Sequence, residues 1–167
     1  PAAPPPRRVL GTQGLMYSIN GAAGLDVLDV AHGAVETSLR GCNYLAWSPD
    51  ARSIVTHDEG LRRWSLHGGL GPRRWAGSVR DAAFVADDRL VLLAGTGELT
   101  FVRSDAATFA VEAVLPHPPA HPFVSRIVHA DERSVVVTSL GRRDGGTLVW
   151  RLDRASAQWL RLCEVAC

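Results

Sequence analysis

The apolar residues of this chain fall in short runs that are separated by turn-forming residues, without a sustained helical period. The clearest case joins the turn sequence WSPD at residues 47–50 to the run SIVT at 53–56, after which Gly60 precedes a run that ends in Trp64. Runs of about four to eight apolar and β-branched residues bounded by glycine, proline and aspartate are typical of strands joined in hairpins. The pattern predicts an all-β chain with essentially no helix.

One unit of this pattern recurs along the chain. It is marked by a glycine that stands four residues before a large apolar residue, in the pairs Gly24 and Leu28, Gly60 and Trp64, Gly97 and Phe101, and Gly146 and Trp150. The intervals between these glycines are 36, 37 and 49 residues. A four-stranded propeller blade repeats at about 40–45 residues. The spacing therefore indicates four blades, with an insertion in the last interval.

A second recurrent feature is a turn that follows the first strand of a repeat. It is found in three copies, which we predict to be equivalent: Ser48-Pro49-Asp50, Ala86-Asp87-Asp88 and Ala130-Asp131-Glu132. Together, the two signals divide the chain into blades at about residues 11–41, 42–77, 78–117 and 118–165. Large aromatic residues inside such strands usually pack in the core. We expect Trp47, Trp64 and Trp150 to be largely buried.

Residues 1–10 are predicted to be a Pro-rich linker or tail that precedes the first blade. The sequence PAAPPPRR at 1–8 suits a strand poorly, because proline has no amide hydrogen to donate to a neighbouring strand. A ligand for a polyproline-binding domain is the less favoured interpretation. The first blade then lacks an obvious innermost strand, unless Arg8–Leu10 supplies it.

On these residues, the chain resembles WD40 repeats from Leu15 to Leu162, most closely over Tyr44–Leu66. The Trp-Asp pair that gives the family its name is replaced in most copies, where the chain has Leu28-Asp29, Trp64-Ser65, Phe101-Val102 and Trp150-Arg151. The resemblance implies a WD40-like β-propeller fragment of about four blades of four-stranded antiparallel sheet. Since propellers close with about four to eight blades, we expect the rest of the ring to come from a longer chain or from another chain.

Within this family, the chain is similar to the C-terminal half of a nuclear pore propeller, most specifically over Gly41–Trp75 and Ser134–Leu162. That similarity implies a non-catalytic scaffold at the nuclear envelope, with other protein subunits, nucleoporins among them, as partners. Two alternatives stay open, namely a regulatory or sensor module of a larger signalling protein and an RNA-binding propeller. The domains encoded upstream would separate the scaffold from the sensor, and a basic face would favour RNA.

Composition narrows the class of partner and the compartment. The net charge is only +1, so no overall field favours a nucleic acid or an anionic membrane. The three cysteines, Cys42, Cys163 and Cys167, do not form the dense even set of a secreted disulfide scaffold, which favours an intracellular, reducing compartment. No apolar run approaches the roughly 18 residues of a membrane span, and no leader sequence is recognisable. We expect a nuclear pore location if the similarity holds, and a cytoplasmic one otherwise.

The candidate partner-binding residues lie on loops and outer strands. Arg142 and Arg143 occupy a glycine-rich hairpin at 140–146, and loops on rigid scaffolds commonly carry binding. The alternative is a solvated hairpin tip that needs glycine for its backbone conformation. The other candidates are Arg62, Trp75 and Trp159. For the two tryptophans, burial against a neighbouring blade is the competing interpretation.

We predict no catalytic residue, cofactor or metal ion. His117 and His121 are close in sequence, but a zinc site needs three or four ligands and no CxxC or HExxH pattern accompanies them. No serine lies in a GxSxG elbow. The adjacent carboxylates of Asp87 and Asp88 are of the type that serves as general acid and general base in enzymes. Adjacent carboxylates in a turn, however, usually just face water.

Overall fold

Among the residues that the computed structural model describes, all regular structure is β-strand. The model describes residues 7–10, 15–19, 25–29, 34–39, 43–50, 52–57, 60–65, 73–75, 77–104, 108–118, 124–140 and 146–165. Within these ranges, four antiparallel sheets of four strands are formed. The described ranges contain no helix, and hence none long and apolar enough to cross a membrane. The predicted all-β architecture of four-stranded sheets is confirmed.

Residues 1–76 form the first of two compact units. Its first sheet consists of β1 (Arg7–Leu10), β2 (Leu15–Ile19), β3 (Leu25–Asp29) and β4 (Ala34–Leu39). Its second sheet consists of β5 (Asn43–Trp47), β6 (Ser53–His57), β7 (Leu61–Ser65) and β8 (Arg73–Trp75). In both sheets the strands are neighbours in chain order, so the first and last strands lie at the edges.

Residues 77–167 form the second unit. Its third sheet consists of β9 (Asp81–Ala86), β10 (Arg89–Leu93), β11 (Leu99–Ser104) and β12 (Phe109–Leu115). Its fourth sheet consists of β13 (Val124–Ala130), β14 (Ser134–Leu140), β15 (Thr147–Asp153) and β16 (Gln158–Val165). These sheets also follow chain order, as expected for strands joined by successive hairpins.

The linker predicted at residues 1–10 is too long by four residues. Arg7–Leu10 form β1 and pair antiparallel with β2, from Arg7 opposite Ile19 to Leu10 opposite Met16. The last proline is Pro6, so every residue of β1 has an amide hydrogen. The alternative in which Arg8–Leu10 supply a strand of the first sheet therefore describes the structure, with β1 at an edge beside β2. Residues 1–6 lie outside the described ranges.

The core of the second unit lies between its two sheets. It contains apolar side chains from β9, β10 and β11 together with side chains from β13, β14 and β15. Register explains the contribution of the fourth sheet, because Val135 pairs with Leu152 and Val137 with Trp150, so that these side chains share one face. All four are buried. Burial of one side chain of this size contributes about 1.5–3 kcal/mol.

Two tryptophans at equivalent strand positions make the same hydrogen bond. Trp64 Nε1 donates to Thr56 Oγ1 over 2.8 Å, and Trp150 Nε1 donates to Ser139 Oγ over 3.0 Å. Each acceptor lies on the preceding strand, two residues beyond the residue that pairs with the tryptophan. Trp150 is buried, as predicted. Trp64 and Trp47 are half-buried, so the expected extent of burial holds fully only for Trp150.

The three turns predicted to be equivalent occupy one topological position, between the first and second strands of their sheets, but they differ in construction. After β5, Ser48 Oγ donates to Asp50 Oδ1 over 2.6 Å and accepts the Ser53 amide hydrogen. After β13, Asp131 Oδ1 instead accepts the amide hydrogen of Ser134. After β9, only residues 87–88 separate the strands. The shared aspartates predicted where the turns lie, but not how many residues each turn contains.

Candidate functional site

The predicted site residue Arg62 belongs to a group of four arginines on the last two strands of the second sheet. In the register of β7 and β8, Arg62 lies opposite Arg74 and Arg63 lies opposite Arg73. We call these four residues the arginine ladder. Arg74 is exposed, whereas Arg62 and Arg63 are half-buried. Arg63 Nη2 donates a hydrogen bond to Ser53 Oγ over 3.1 Å, which holds that side chain along the sheet.

The arginine ladder is peculiar to the second sheet among the four described. The register positions that correspond to Arg62 and Arg74 hold the pairs Asp26 and Ser38, Leu99 and Leu115, and Leu148 and Glu164. In the first sheet the two members of this pair contact each other, since Ser38 Oγ donates to Asp26 Oδ1 over 2.7 Å. The sequence signal was the doublet RR on both sides of one predicted hairpin, at 62–63 and 73–74. This signal pointed to Arg62 as a candidate, whereas Arg63, Arg73 and Arg74 were not predicted.

Trp75, the second predicted site residue, is placed beside this ladder by a close backbone approach. It ends β8 opposite Leu61 and is half-buried. A Cβ atom at Gly60 would lie 2.7 Å from the Trp75 carbonyl oxygen. Glycine at 60 therefore allows β8 to pair up to its last residue, and the backbone at this point fixes the position of Trp75.

Trp159, the third predicted residue, lies on the outermost strand of the fourth sheet and is half-buried against the core of its unit. Its Nε1 donates to the Pro116 carbonyl oxygen over 3.1 Å. Pro116 follows the last strand of the third sheet, so this bond joins the outer margins of two sheets. The Trp159 indole therefore takes part in a hydrogen bond between two sheets and remains partly exposed to solvent.

The remaining predicted site residues, Arg142 and Arg143, lie outside the described residues, and their role stays a prediction. His121 also lies outside them. His117 is half-buried and its Nδ1 is 2.9 Å from the Pro118 carbonyl oxygen. In the part of the chain that the structure describes, no group of three histidine, cysteine, aspartate or glutamate residues is arranged to hold a metal ion.

A second arginine pair, on the third sheet, shows how guanidinium groups are neutralised within this chain. Arg89 on β10 lies opposite Arg103 on β11. Glu112 on β12 serves both, with Oε1 at 3.5 Å from Arg89 Nε and 3.1 Å from Arg103 Nε. Arg103 Nε also lies 3.8 Å from a carboxylate oxygen of Asp88. The sequence does not predict this network, because the network depends on the strand register.

A shallow cleft of about 480 Å³ opens beside the turns of the fourth sheet and is lined by Glu132, Arg133, Asp153, Arg154 and Ala155. Arg154 Nη1 donates to the Glu132 carbonyl oxygen over 3.0 Å, and its guanidinium carbon lies 4.5 Å from the centre of the Phe101 ring. Amide hydrogen bonds, that of Ser134 first, lower the pKa of the neighbouring Asp131 to about 2. The hydrogen bonds of Arg154 and Asp131 hold the turns in place. Acidic and basic side chains alternate around the cleft.

The outer strands of the second unit expose apolar side chains that sequence analysis did not select. The exposed members on β12 and β16 are Val111, Val114, Leu160, Leu162 and Val165, with exposed fractions of 47–55%. We call these five residues the outer-strand surface. Scattered exposed apolar residues are ordinary, but contact surfaces for proteins are built from such side chains. Outer strands were expected to carry partner contacts, but among the residues of β12 and β16 only Trp159 was predicted to do so.

Comparison with solved structures places this architecture among known folds. The chain superimposes on the β-propeller domain of Myceliophteria thermophila Cps50 (Swd1) with a TM-score of 0.70 and 16% identity, covering 99% of this chain and 58% of that one. For the WD40 repeats of RRP9 the TM-score is 0.68 and the identity 13%, covering 96% and 56%. The fold is therefore that of a WD40 β-propeller fragment.

The N-terminal domain of Nup159 is also similar, with a TM-score of 0.60 and 9% identity over 95% of this chain and 47% of that one. The propeller fragment thus spans about half to three-fifths of the length of these structures. At such identities the likeness shows the fold alone. No protein-family model matches the sequence, and no curated protein sequence matches it.

Proposed function

We propose that this WD40 propeller fragment is a non-catalytic scaffold that presents surfaces for binding other proteins. The observation that carries the proposal is the distribution of side chains in the described strands. The central strands β10 and β14 have buried, largely apolar faces, whereas β12 and β16 expose the outer-strand surface. Side chains fixed on a rigid sheet and exposed to solvent suit recognition of a partner.

The finer proposal concerns the partners and the compartment. The sequence resembles the C-terminal half of aladin, a WD40 protein of the nuclear pore, over Gly41–Trp75 and Ser134–Leu162. The similar Nup159 domain carries the name of a nucleoporin, which supports a nuclear pore setting as a proposal. On this proposal the chain is docked at the nuclear envelope through protein subunits, with nucleoporins among them.

Capture from solubilised nuclear envelopes tests the proposal. The immobilised chain should enrich nucleoporins over a variant in which Val111, Val114, Leu160 and Leu162 are replaced by serine. Because these four side chains are exposed, their replacement should change the free energy of unfolding little, within about 0.5 kcal/mol for each site. Equal recovery of nucleoporins by the two proteins would refute the role of the outer-strand surface, and recovery of none by either would refute the nuclear pore setting.

The hairpin at 140–146 provides a second arm of the same experiment. Replacement of Arg142 and Arg143 by alanine should reduce nucleoporin recovery and leave the melting temperature unchanged, because arginines of a solvated hairpin tip, as predicted for this loop, contribute little to folding. Replacement of Arg126 and Arg133, which are exposed elsewhere in the second unit, is the matched control for loss of two positive charges. Unchanged recovery with the hairpin variant would remove this loop from the binding surface.

A further inference from the structure

The outermost strand of the fourth sheet has the features of a surface that recognises a second copy of this chain. β16 pairs with β15 along one side and ends the sheet in the part of the chain that the structure describes. Residues 160–165 of this strand are all exposed. The outer side of an edge strand presents backbone donors and acceptors with which a further strand can pair.

A β-bulge in β16 brings two opposite charges to one face of the sheet. The register with β15 shifts between Val149 and Trp150, so that Leu162 is an extra residue in β16. An extra residue changes the alternation of faces beyond it, and Arg161 and Glu164 therefore share a face although they are three positions apart. The distance of 3.6 Å between Arg161 Nη2 and Glu164 Oε2 agrees with this placement.

The opposite face of β16 has an apolar residue at each end of the same segment. Leu160 lies opposite Arg151 and Val165 lies opposite Thr147. Arg151 and Thr147 are four positions apart on β15, so they lie on one face of the sheet, and their partners on β16 share that face. Leu160 and Val165 are both exposed. One face of β16 thus has a pair of opposite charges and the other face has an apolar pair.

Both pairs fit a two-fold symmetric, antiparallel pairing of β16 with β16 of a second copy. When Arg161 lies opposite Glu164 of the second copy, the same register places Leu160 opposite Val165 of the second copy. Two-fold symmetry repeats each contact, so four charges alternate in sign on one face and two apolar pairs form on the other. The contact between Arg161 and Glu164 within each copy is retained, so the pairing requires neither side chain to be unpaired beforehand.

We propose that two copies of this chain associate by antiparallel pairing of their β16 strands in this register, which joins two four-stranded sheets edge to edge. Registers that place Arg161 or Glu164 opposite itself bring like charges together and are destabilised. A contact that uses the same surface of both copies closes at the dimer and does not extend into a filament. This inference goes beyond the proposed function and does not depend on it.

The corresponding strand of the third sheet does not specify a second copy in this way. In β12 the extra residue is Glu112, and the positions equivalent to Arg161 and Glu164 hold Val111 and Val114. Apolar residues at both positions accept several registers, whereas the charges of β16 favour one register over its neighbours. A second copy therefore fits β16 better than it fits β12.

Sedimentation velocity of the full 167-residue chain over a range of concentrations tests the proposal. The wild-type chain should form a dimer. R161E and E164R should each weaken dimerisation about tenfold or more, because both symmetric contacts become like-charge pairs. R133E makes the same change of charge as R161E at an exposed residue outside β16 and should leave the dissociation constant of the dimer unchanged.

A charge swap tests the register. R161E/E164R restores opposite charges at both contacts and should return the dissociation constant to within about threefold of the wild-type value. An equimolar mixture of R161E and E164R should dimerise at concentrations where neither variant does so alone, because two glutamates of one copy then face two arginines of the other. Urea denaturation should give each variant an unfolding free energy close to that of the wild type, since exposed ion pairs contribute little to folding.

A wild-type chain that stays monomeric at its highest soluble concentration would overturn the proposal. Equal losses of dimerisation in R161E and R133E would also overturn it, since association would then follow net charge, and a mixture of R161E and E164R that stays monomeric would overturn the register. Dimerisation that R161E leaves intact and V111S/V114S abolishes would place the contact on β12 instead.

The outcomes for dimerisation and for the proposed function are distinguishable. A monomeric chain that still recovers nucleoporins would overturn the pairing of β16 and leave the protein-binding function standing. A dimer that responds to the charge swap and recovers no nucleoporin would uphold the pairing of β16 and refute the nuclear pore setting.

Discussion

At the scale of single residues, the sequence located several structural positions but not their partners. The glycine repeat correctly marked Trp64 and Trp150 as aromatic residues of equivalent strands. It could not identify Thr56 and Ser139 as the acceptors of the indole hydrogen bonds, because those residues are brought close by strand register and not by sequence distance. For the same reason, only Arg62 of the four residues in the arginine ladder was predicted from the sequence. The types of residue are evident in the sequence, whereas the side chains that each residue contacts depend on the strand register of the folded sheet.

The hydrogen bond between Trp150 and Ser139 makes a prediction that a thermodynamic cycle can check. Both residues are buried, so either W150F or S139A leaves a buried polar group unpaired and should cost about 1–3 kcal/mol of unfolding free energy. The double variant should cost less than the sum of the two, measured by urea denaturation. Additive losses would show that the hydrogen bond contributes nothing specific.

Gly60 makes a second prediction at this scale. In G60A the new Cβ atom would meet the Trp75 carbonyl oxygen at 2.7 Å, and relief of this overlap by backbone movement should cost about 1–3 kcal/mol. G95A is the matched control, because its Cβ atom would lie 3.9 Å from Ser78 Oγ. Thermal unfolding should show a lower melting temperature for G60A and little change for G95A. Equal melting temperatures would contradict the role assigned to the approach of β8.

At the scale of strands and hairpins, turn signals predicted most elements. Glycine and aspartate clusters bounded the hairpins of the second, third and fourth sheets, since these residues adopt turn conformations that other residues resist. β1 was assigned to the linker because the prolines just before it suit a strand poorly. Its strand conformation is instead supported by pairing with β2. The exposure of β12 and β16 depends on what lies beside each sheet, which no local pattern encodes.

A hydrogen bond between strands of the third and fourth sheets leads to a prediction about how the unfolding free energy depends on pH. Asp81 on β9 accepts the Ile127 amide hydrogen from β13 over 2.8 Å, and burial raises the pKa of its carboxyl group above 3.8. The folded state then holds this proton more tightly than the unfolded chain does, so the stability due to Asp81 falls as pH rises from about 3.8 through the raised pKa. D81N should remove this part of the pH dependence in urea titrations.

Asp131 provides a control of opposite sign. Its pKa is lowered to about 2 in the folded state, so its contribution is present above 3.8 and is lost as pH falls towards 2. D131N should therefore flatten the acid side of the stability curve and lower the unfolding free energy above pH 4 by an amount that does not change with pH. The same response in both variants would contradict the assigned environments.

At the scale of the whole molecule, repetition was the informative signal. Four glycine-marked copies predicted four four-stranded sheets, because one supersecondary unit repeated at a fixed interval is the sequence signature of a propeller. The division into compact units at residue 76 was not predicted. It depends on contacts between sheets, whereas the sequence repeat does not distinguish one junction between successive sheets from another. The binding surface was predicted least well, because fold and repeat do not specify which exposed side chains a partner uses.

The central claim is that the rigid sheets act by displaying side chains to a protein partner. Its most direct test is the dissociation constant of a purified nucleoporin recovered by the chain, measured by titration calorimetry against the wild-type chain and against the variant with serine at 111, 114, 160 and 162. We predict an affinity at least about tenfold weaker for the variant, as expected when contact side chains are truncated, with an unfolding free energy close to that of the wild type. An unchanged dissociation constant would contradict the claim.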